Sequence, residues 1–373
     1  MITKERTIAG KLITLETGRM AKQSDGAVLA RVGDTMVLAT VVSSKTQREG
    51  ADFVPLSVEF REKFYSSGKI PGGFLRREAR LSDREILICR VIDRQIRPLL
   101  PKNWYYETQV IVSVLSYDGE NQPDMLGTVA ASAALSISNI PFEGPIASVR
   151  AARIDGEYII NPTYSQFDES DLDIIVAGSK DSIVMVEGEL KEISEDDFLG
   201  AVKVSHKAVA ELIELQEELV AEIKPEKREK PVEEVDEAFV AAVKEKIGNE
   251  MNDILSIIMK QERGDKEDAL VSGIVASLEE TYPECEDEVK KIVHDVHKEI
   301  IRKKILENGI RVDGRKTNEI RTITSEVGVL PRVHGSALFT RGETQALVTT
   351  TLGSSRDAQF LDNIDGKDEK VYM

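Results

Sequence analysis

Two segments of the chain, 26–42 and 335–351, share one pattern of apolar and polar positions. The first reads GAVLARVGDTMVLATVV and the second GSALFTRGETQALVTTT. In each, two apolar runs flank a Gly-Asp-Thr or Gly-Glu-Thr turn, which predicts a β-hairpin. They align without a gap at an offset of 309 (335 minus 26), and six of the seventeen positions are identical: Gly26/Gly335, Leu29/Leu338, Gly33/Gly342, Thr35/Thr344, Leu38/Leu347 and Thr40/Thr349.

The similarity extends upstream of both hairpins with one gap. TLETG ends at Gly18 and TSEVG ends at Gly328, an offset of 310 (328 minus 18). We therefore predict an internal duplication. Because the second copy begins near Ile310 and only some sixty residues remain before Met373, we expect the sequence to be a fragment that is cut inside its second repeat.

Between the repeats the hydrophobic pattern changes twice. Residues 110–223 alternate apolar strand patterns with helical ones, which predicts a mixed α/β layer fold. Residues 224–235, KPEKREKPVEEV, have the composition of a charged linker, and 236–308 are helix formers with a period near 3.6. The predicted domains are a first α/β unit at 1–230, an all-helical domain at 231–309 and the start of a second α/β unit at 310–373.

One basic stretch stands out in an acidic chain. The formal charge is -17, yet 61–97 holds ten Lys or Arg against five Asp or Glu. Within it, Ser82 and Glu85 have the spacing of a capping box, which predicts a helix at 83–97 that ends before Pro98. That helix would carry Arg90, Arg94 and Arg97 on one face and pack through Ile86, Val91, Ile92 and Ile96.

The loop before this helix has the residue types of a phosphate-binding or single-strand-binding element. Gly72 and Gly73 permit a tight turn, Phe74 offers an aromatic face, and Arg76 and Arg77 offer bidentate donors. A structural alternative is that Phe74 lies in the core and that the arginines pair with acidic neighbours, namely Glu78, Asp83 and Glu85.

Composition narrows the class of protein. An apolar fraction of 41% and a charged fraction of 31% are typical of a soluble protein of several domains. The charge of -17 argues against indiscriminate nucleic-acid binding but leaves room for a local basic site. Two widely spaced cysteines, Cys89 and Cys285, fit a reducing compartment. With no signal-peptide or membrane-spanning pattern, a cytoplasmic protein is expected.

Several motifs together resemble the bacterial polynucleotide phosphorylase family. They are GKIPGGFLRREARLSDREILICRVIDRQIRPLLP, the hairpin GDTMVLATVV, the segment IRVDGR and the second hairpin motif PRVHGSALFTRGETQALVT. The resemblance implies two ribonuclease PH-like α/β (α+β) units around an all-helical domain, with KH and S1 modules after them in full-length members. It also implies a homotrimeric ring that degrades single-stranded RNA from the 3' end and releases nucleoside diphosphates. Inorganic phosphate would be the co-substrate and Mg²⁺ or Mn²⁺ the metal. RNA-degradosome components are the partners that the resemblance implies.

The same resemblance assigns candidate RNA-binding residues. The family's Phe-Phe-Arg-Arg loop, which grips RNA at the ring entrance, falls on Phe74, Leu75, Arg76 and Arg77, with Leu75 in place of the second aromatic. Arg150 is implied as a second RNA contact at the central channel. The catalytic arginine pair of the second unit is expected near position 385 (76 plus 309), beyond Met373.

The first unit departs from the family's catalytic pattern, so we predict that it is catalytically degenerate. The phosphate-binding serine loop falls on Gln122, Pro123 and Asp124; Pro123 has no amide hydrogen and Asp124 would repel phosphate. Of the metal-binding aspartates and the nearby lysine, only Asp173 persists, because Phe167 and Ile175 occupy the other positions. No catalytic or metal site is therefore expected in this chain.

Two functions follow from these expectations. In the first, the chain is part of a phosphorolytic exoribonuclease and supplies ring assembly and RNA gripping, while the second unit supplies catalysis. In the second, it is part of a non-catalytic RNA-binding ring scaffold. Serine-rich and paired-aspartate motifs one repeat length after Gln122 and Phe167 would favour the enzyme.

Overall fold

The chain divides into two units in a computed structural model that describes residues 1–71, 77–78, 80–231 and 236–373. Unit 1 comprises Met1–Val232 and Ala358–Met373, and unit 2 comprises Glu233–Asp357. No helix in the described part of the chain is both long and apolar enough to span a membrane.

The elements of unit 1 come first along the chain. Its strands up to residue 190 are β1 (Ile2–Ile8), β2 (Lys11–Thr17), β3 (Gly26–Val32), β4 (Thr35–Gln47), β5 (Leu56–Glu62), β6 (Tyr106–Ser116), β7 (Ala147–Ile154), β8 (Glu157–Ile160), β9 (Leu172–Gly178) and β10 (Ile183–Leu190). Its helices are α1 (Asp83–Ile96), α2 (Pro123–Ile137), α3 (Tyr164–Phe167) and α4 (Glu195–Ile223).

Unit 2 and the end of the chain supply the remaining elements. Unit 2 contains α5 (Glu237–Ile247), α6 (Glu250–Ile254), α7 (Lys260–Leu278), α8 (Glu286–Asn308), β11 (Ile323–Val327), β12 (Gly335–Arg341) and β13 (Thr344–Thr350). The last two strands, β14 (Gln359–Asp362) and β15 (Lys367–Lys370), belong to unit 1.

Two sheets with one fully buried helix form the centre of unit 1, and α1 and α4 pack against the sheets. The first sheet has the order β1-β2-β3-β4-β6-β5, with β5 and β6 parallel and the other pairs antiparallel. The second sheet is antiparallel with the order β10-β9-β7-β8. Helix α2 contacts β3, β4 and β6 of the first sheet and β7 of the second, and every one of its residues is buried. The mixed α/β architecture predicted for this part of the chain is confirmed.

Small residues allow α2 to approach the first sheet closely. A Cβ added to Gly26 in β3 would lie 2.2 Å from the carbonyl oxygen of Ala134 in α2, so only glycine fits there. The alternating pattern of the hairpin places Val28, Ala30, Val37, Ala39 and Val41 in the core, all fully buried.

The duplication predicted from sequence is confirmed by strand register. Gly26 pairs with Val41 and Gly335 with Thr350, so the β3–β4 and β12–β13 hairpins have the same register at an offset of 309. The turn glycines Gly33 and Gly342 have φ angles of 57° and 63°, the left-handed region that glycine tolerates. The pairs Ile13–Val32 and Ile323–Arg341 place β2 and β11 equivalently, with the single gap in the loop between them and the hairpin.

Unit 2 contains the predicted helical region and a three-stranded sheet. Helices α5 to α8 enclose a separate apolar core that includes Phe239, Val243, Leu270, Ile274 and Val289. The sheet has the order β11-β12-β13. Both cysteines of the chain are free and buried, Cys89 in unit 1 and Cys285 in unit 2, in agreement with the sequence.

Two expectations about local structure need correction. Ile86 does not pack in the core: it is 45% exposed, whereas Ile88 and Cys89 are buried on the inner face of α1. The first part of the predicted linker is held against unit 1, because the Lys227 ammonium donates to three carbonyl oxygens at the end of α2 (Leu135, 3.1 Å; Ser136, 2.8 Å; Ser138, 2.8 Å). Burial lowers the pKa of Lys227 to about 8.

Candidate functional site

The basic loop is described in part. Phe74, Leu75 and Arg76 lie outside the described residues, and Arg77 is exposed. Of the acids proposed as its alternative partners, Glu78 accepts hydrogen bonds from the Lys63 ammonium (3.0 Å) and the Phe64 amide (2.8 Å). Burial acts to raise the pKa of Glu78, but these two bonds lower it overall.

The other two acids also have partners of their own. Glu85 accepts from the backbone amides of Ser82 (2.7 Å) and Glu62 (2.9 Å), which completes the predicted capping box of α1. Asp83 lies 3.4 Å from the Lys370 ammonium. Within the described ranges, Arg77 forms no ion pair with Glu78, Asp83 or Glu85. The rest of the structural alternative concerns Phe74 and Arg76, which lie outside the described residues.

The predicted arginine face of α1 is largely neutralised. Arg94 pairs with Glu187 at 2.5 Å. Arg97 pairs with Asp93 at 2.6 Å and donates to the carbonyl oxygens of Val54 and Leu56. Arg90 is exposed. This face therefore carries far less net positive charge than its sequence suggests.

Residues from the two segments that the sequence comparison aligned with catalytic motifs lie in one cavity of unit 1. It has a volume of about 1220 Å³, and its lining includes Gln122, Asp124, Arg150, Phe167, Asp173 and Ile175. Gln122 is the N-cap of α2 and Pro123 is its first residue. The two segments are separate in sequence, and the fold places their residues in the same cavity.

Arg150 links two carboxylates inside this cavity. From β7 its guanidinium donates to Asp124 at the start of α2 (2.6 Å) and to both carboxylate oxygens of Asp173 on β9 (2.9 and 3.0 Å). The exposed side-chain fractions are 19% for Arg150, 7% for Asp124 and 28% for Asp173. Burial raises the pKa of Asp173 although Arg150 acts to lower it. The Arg150 guanidinium also lies 5.7 Å from the ring centre of Phe167.

This arrangement does not fit phosphate or a divalent metal. The Asp124 carboxylate occupies the first turn of α2, where an anion would otherwise bind, and Pro123 lacks the amide that would donate to it. Both carboxylates that line this part of the cavity are already paired with Arg150. Among the residues that the structure describes, no group of three His, Cys, Asp or Glu is placed to hold a metal ion.

A second charged group, which the sequence did not reveal, reaches the same cavity through Arg84. Arg84 in the first turn of α1 contacts the Glu62 carboxylate (3.3 Å), the Tyr164 hydroxyl and the Asp365 carboxylate. Glu62 is only 8% exposed, and burial raises its pKa to about 7 against the opposing effect of Arg84. One signal was available: Glu62 follows Phe60 at the inward-facing period of β5, where a carboxylate needs a buried partner.

Comparisons with known proteins cover most of the chain. A model described as the 3' exoribonuclease family, domain 1, matches residues 9–141 and again 319–370, and domain 2 of that family matches 144–208. A model described as the RNA binding domain of polyribonucleotide nucleotidyltransferase matches 238–316. A polyribonucleotide nucleotidyltransferase of Geotalea uraniireducens is 49% identical over 364 residues, which are 98% of this chain and 52% of that protein.

The chain belongs to the polyribonucleotide nucleotidyltransferase family. A second member, from Desulfatibacillum aliphaticivorans, is 48% identical over 373 residues, covering 100% of this chain and 52% of its own length. The chain therefore spans about half the length of these curated relatives. Among solved structures, rice (Oryza sativa) Rrp46 has 14% identity and a TM-score of 0.46, and the match covers 56% of this chain and 94% of that one.

Membership in the polyribonucleotide nucleotidyltransferase family confirms the resemblance read from the motifs, and with it the ribonuclease PH-like units around a helical region. The domain 1 model matches twice, at the two copies recognised from the hairpins. The predicted RNA contact of Arg150 stays a prediction. Its geometry favours a structural role, since RNA would have to draw the guanidinium away from two carboxylates.

Proposed function

We propose that this chain is the N-terminal portion of a 3'-to-5' phosphorolytic exoribonuclease, in which the first unit grips RNA and the second unit carries out the reaction. In that reaction an oxygen of inorganic phosphate attacks the last phosphodiester phosphorus. A new phosphoanhydride bond forms, the bond to the 3' oxygen breaks, and a nucleoside diphosphate leaves the shortened RNA. Inorganic phosphate is the co-substrate.

The observation that carries the division of labour is the Asp124–Arg150–Asp173 group. A phosphorolytic site needs donors for an anionic transition state. In the first unit the corresponding place holds a carboxylate that is already bonded to Arg150. We infer that the first unit lacks phosphorolytic activity. A Mg²⁺ or Mn²⁺ ion, if the reaction uses one, would need ligands other than the residues of this cavity.

The test is phosphorolysis of a 3'-labelled single-stranded RNA by the 373-residue chain with phosphate and Mg²⁺. We expect no release of labelled nucleoside diphosphate, whereas the full-length relative from Geotalea uraniireducens, used as the positive control, should release it. Robust turnover by the 373-residue chain would refute the assignment of catalysis to the second unit.

We propose that Phe74, Leu75, Arg76 and Arg77 form the RNA grip. The exposure of Arg77 and the contacts that Glu78, Asp83 and Glu85 make with other groups support this, because the Arg77 guanidinium is then left for phosphate. Changing Arg76→Ala with Arg77→Ala should weaken RNA binding and make the slope of log K against log salt less steep by about 1.4, for two lost phosphate contacts. An unchanged RNA affinity and an unchanged salt slope would refute the proposal.

A matched control is Arg31→Ala with Arg48→Ala. It removes the same charge from two half-exposed arginines outside the loop: Arg31 in β3, which pairs with Asp34, and Arg48 just after β4, which pairs with Glu107. We expect this control to leave the salt slope near that of the unsubstituted chain. A homotrimeric ring, cytoplasmic location and association with RNA-degradosome components belong to the same proposal, and sedimentation analysis of the chain tests the trimer.

The second candidate is a non-catalytic RNA-binding ring scaffold. The degenerate cavity of the first unit favours it for this part of the protein. The remaining sequence discriminates: serine-rich and paired-aspartate motifs one repeat length after Gln122 and Phe167 indicate the enzyme, and their absence indicates the scaffold.

A further inference from the structure

The β14–β15 hairpin stands outside the larger sheets of unit 1. It follows β13 along the chain, after the seventeen positions of the second copy that align with the first. Strand β5 joins the six-stranded sheet next to β6, whereas β14 and β15 pair only with each other within the described residues. A two-stranded hairpin of four-residue strands is marginal alone, so this one needs support from its surroundings.

Unit 1 provides that support at the tip of the hairpin. The Lys69 ammonium donates to the carbonyl oxygens of Asn363 (3.1 Å) and Ile364 (2.7 Å). Arg84 pairs with the Asp365 carboxylate. The Ile364 side chain is 2% exposed and belongs to the main apolar core of unit 1. The tip is therefore held by apolar burial, two hydrogen bonds and one ion pair.

The receiving side is fixed independently of the hairpin. The Arg84 guanidinium pairs with the buried Glu62 carboxylate and donates to the Tyr164 hydroxyl. The strands of the hairpin also line the cavity that holds Asp124 and Arg150, through residues such as Phe360, Leu361 and Lys370. The cavity that does not fit phosphate or a metal ion is thus lined in part by the β14–β15 hairpin.

We propose that the degenerate site of the first unit is a docking socket for the β14–β15 hairpin, with Lys69 and Arg84 as positioning residues for the chain that leads into the second copy's reactive part. The positioning role rests on the proposed function, since the counterpart of the Arg76–Arg77 loop is expected near position 385, a short distance after β15. A socket that anchors residues 363–365 limits where that loop can begin.

The first test is hydrogen–deuterium exchange of the 373-residue chain. We expect Lys69→Met and the double variant Ile364→Ser with Asp365→Asn to speed amide exchange in 359–370 at least tenfold, with unchanged exchange in β12 and β13. Lys69→Arg, which keeps the donors, should restore protection. The matched control is Lys230→Met, which removes an exposed ion pair with Glu143 outside the hairpin and should leave exchange in 359–370 unchanged. These variants leave Arg84 in place, so the buried Glu62 carboxylate keeps its ion-pair partner.

Unchanged protection of the hairpin in both the Lys69→Met and the double variant would overturn the socket. The second test uses the longer protein: Lys69→Met should lower kcat for diphosphate release at least fivefold with the KM for RNA unchanged. An unchanged kcat despite lost protection would overturn the positioning role. If the unsubstituted longer protein released no diphosphate, the proposed function would fail while the exchange result would still decide the socket.

Discussion

Arg150 should be more important for the stability of unit 1 than any exposed arginine, because it compensates a buried carboxylate. The perturbation is Arg150→Met, which keeps an unbranched apolar side chain and removes the guanidinium. Asp124, at 7% exposure, then loses its ion-pair partner, and Arg84 acts on it only as a more distant charge. It retains one hydrogen bond, from the Met125 amide to its Oδ1 at 2.7 Å. Asp173, at 28% exposure, can be reached by water.

The expected loss follows from that asymmetry. Removing one partner of a buried ion pair costs about 3–5 kcal/mol, because the remaining charge stays desolvated. Since Asp173 can rehydrate and Asp124 keeps one donor, we expect the lower end, about 3 kcal/mol. With a urea m-value of about 3 kcal/mol/M for a unit of this size, the unfolding midpoint should fall by about 1 M.

The assay is urea unfolding followed by tryptophan fluorescence. The chain has one tryptophan, Trp104, which is fully buried in unit 1 and so reports on that unit. The matched control is Arg153→Met on the same strand, since Arg153 also pairs with two aspartates, Asp171 and Asp197. Those partners are 41% and 43% exposed and return to water, so this loss should be much smaller.

Two results would refute the reasoning. One is a midpoint shift for Arg150→Met no larger than that for Arg153→Met. The other concerns the double variant Asp124→Asn with Arg150→Met. Because this variant removes the unpaired Asp124 carboxylate, it should recover much of the stability that Arg150→Met loses. A double variant as unstable as Arg150→Met would show that an unpaired carboxylate is not the cause.

Three further outcomes are expected. Gly26→Ala should destabilise unit 1 by about 1–3 kcal/mol, because the added Cβ meets the Ala134 backbone. Gly335→Ala, at the same place in the repeat, should be well tolerated because the nearest atom lies 3.5 Å from the added Cβ. Urea unfolding followed by far-UV circular dichroism, which reports on both units, checks this, and equal midpoint shifts would contradict it. Burial raises the pKa of Glu62 from 4.5 to about 7. Between these pH values the folded chain holds a proton that the unfolded chain has lost. About 3 kcal/mol of the free energy of unfolding should therefore be lost as the pH rises from 4.5 to about 7. Glu62→Gln should flatten this fall in urea midpoints measured from pH 4.5 to 8, and an equally steep fall would argue against it. Leu75→Phe should tighten single-stranded RNA binding about fivefold in a filter-binding titration by restoring a stacking surface, and unchanged affinity would argue against stacking at this position.

Local patterns predicted the elements whose formation depends on near neighbours. The capping box of Ser82 and Glu85 set the start of α1 because both partners lie within one turn. The turn glycines Gly33 and Gly342 set the hairpins and their register, because only a few residue types adopt positive φ at low cost. Ile86 was misplaced because helical periodicity allows a wider apolar face than the side of α1 that actually packs.

The charged groups of the site could not be predicted in the same way. Arg150 is 26 residues from Asp124 and 23 from Asp173, and Arg84 is 281 residues from Asp365. Side-chain pairs at such separations depend on how sheets and helices pack, which residue types alone do not specify. The resemblance to the family pointed to Asp124 and Asp173, but it did not indicate that Arg150 pairs with both carboxylates.

By itself, the sequence determined the duplication, the two hairpins with their common register and the capped helix. These features depend on residue identity and short-range geometry. The tertiary structure alone decided that Asp124, Arg150 and Asp173 form one buried group and that unit 1 receives the β14–β15 hairpin. The physical reason is that desolvated charges must find partners wherever the fold brings them, at distances along the chain that no local pattern records.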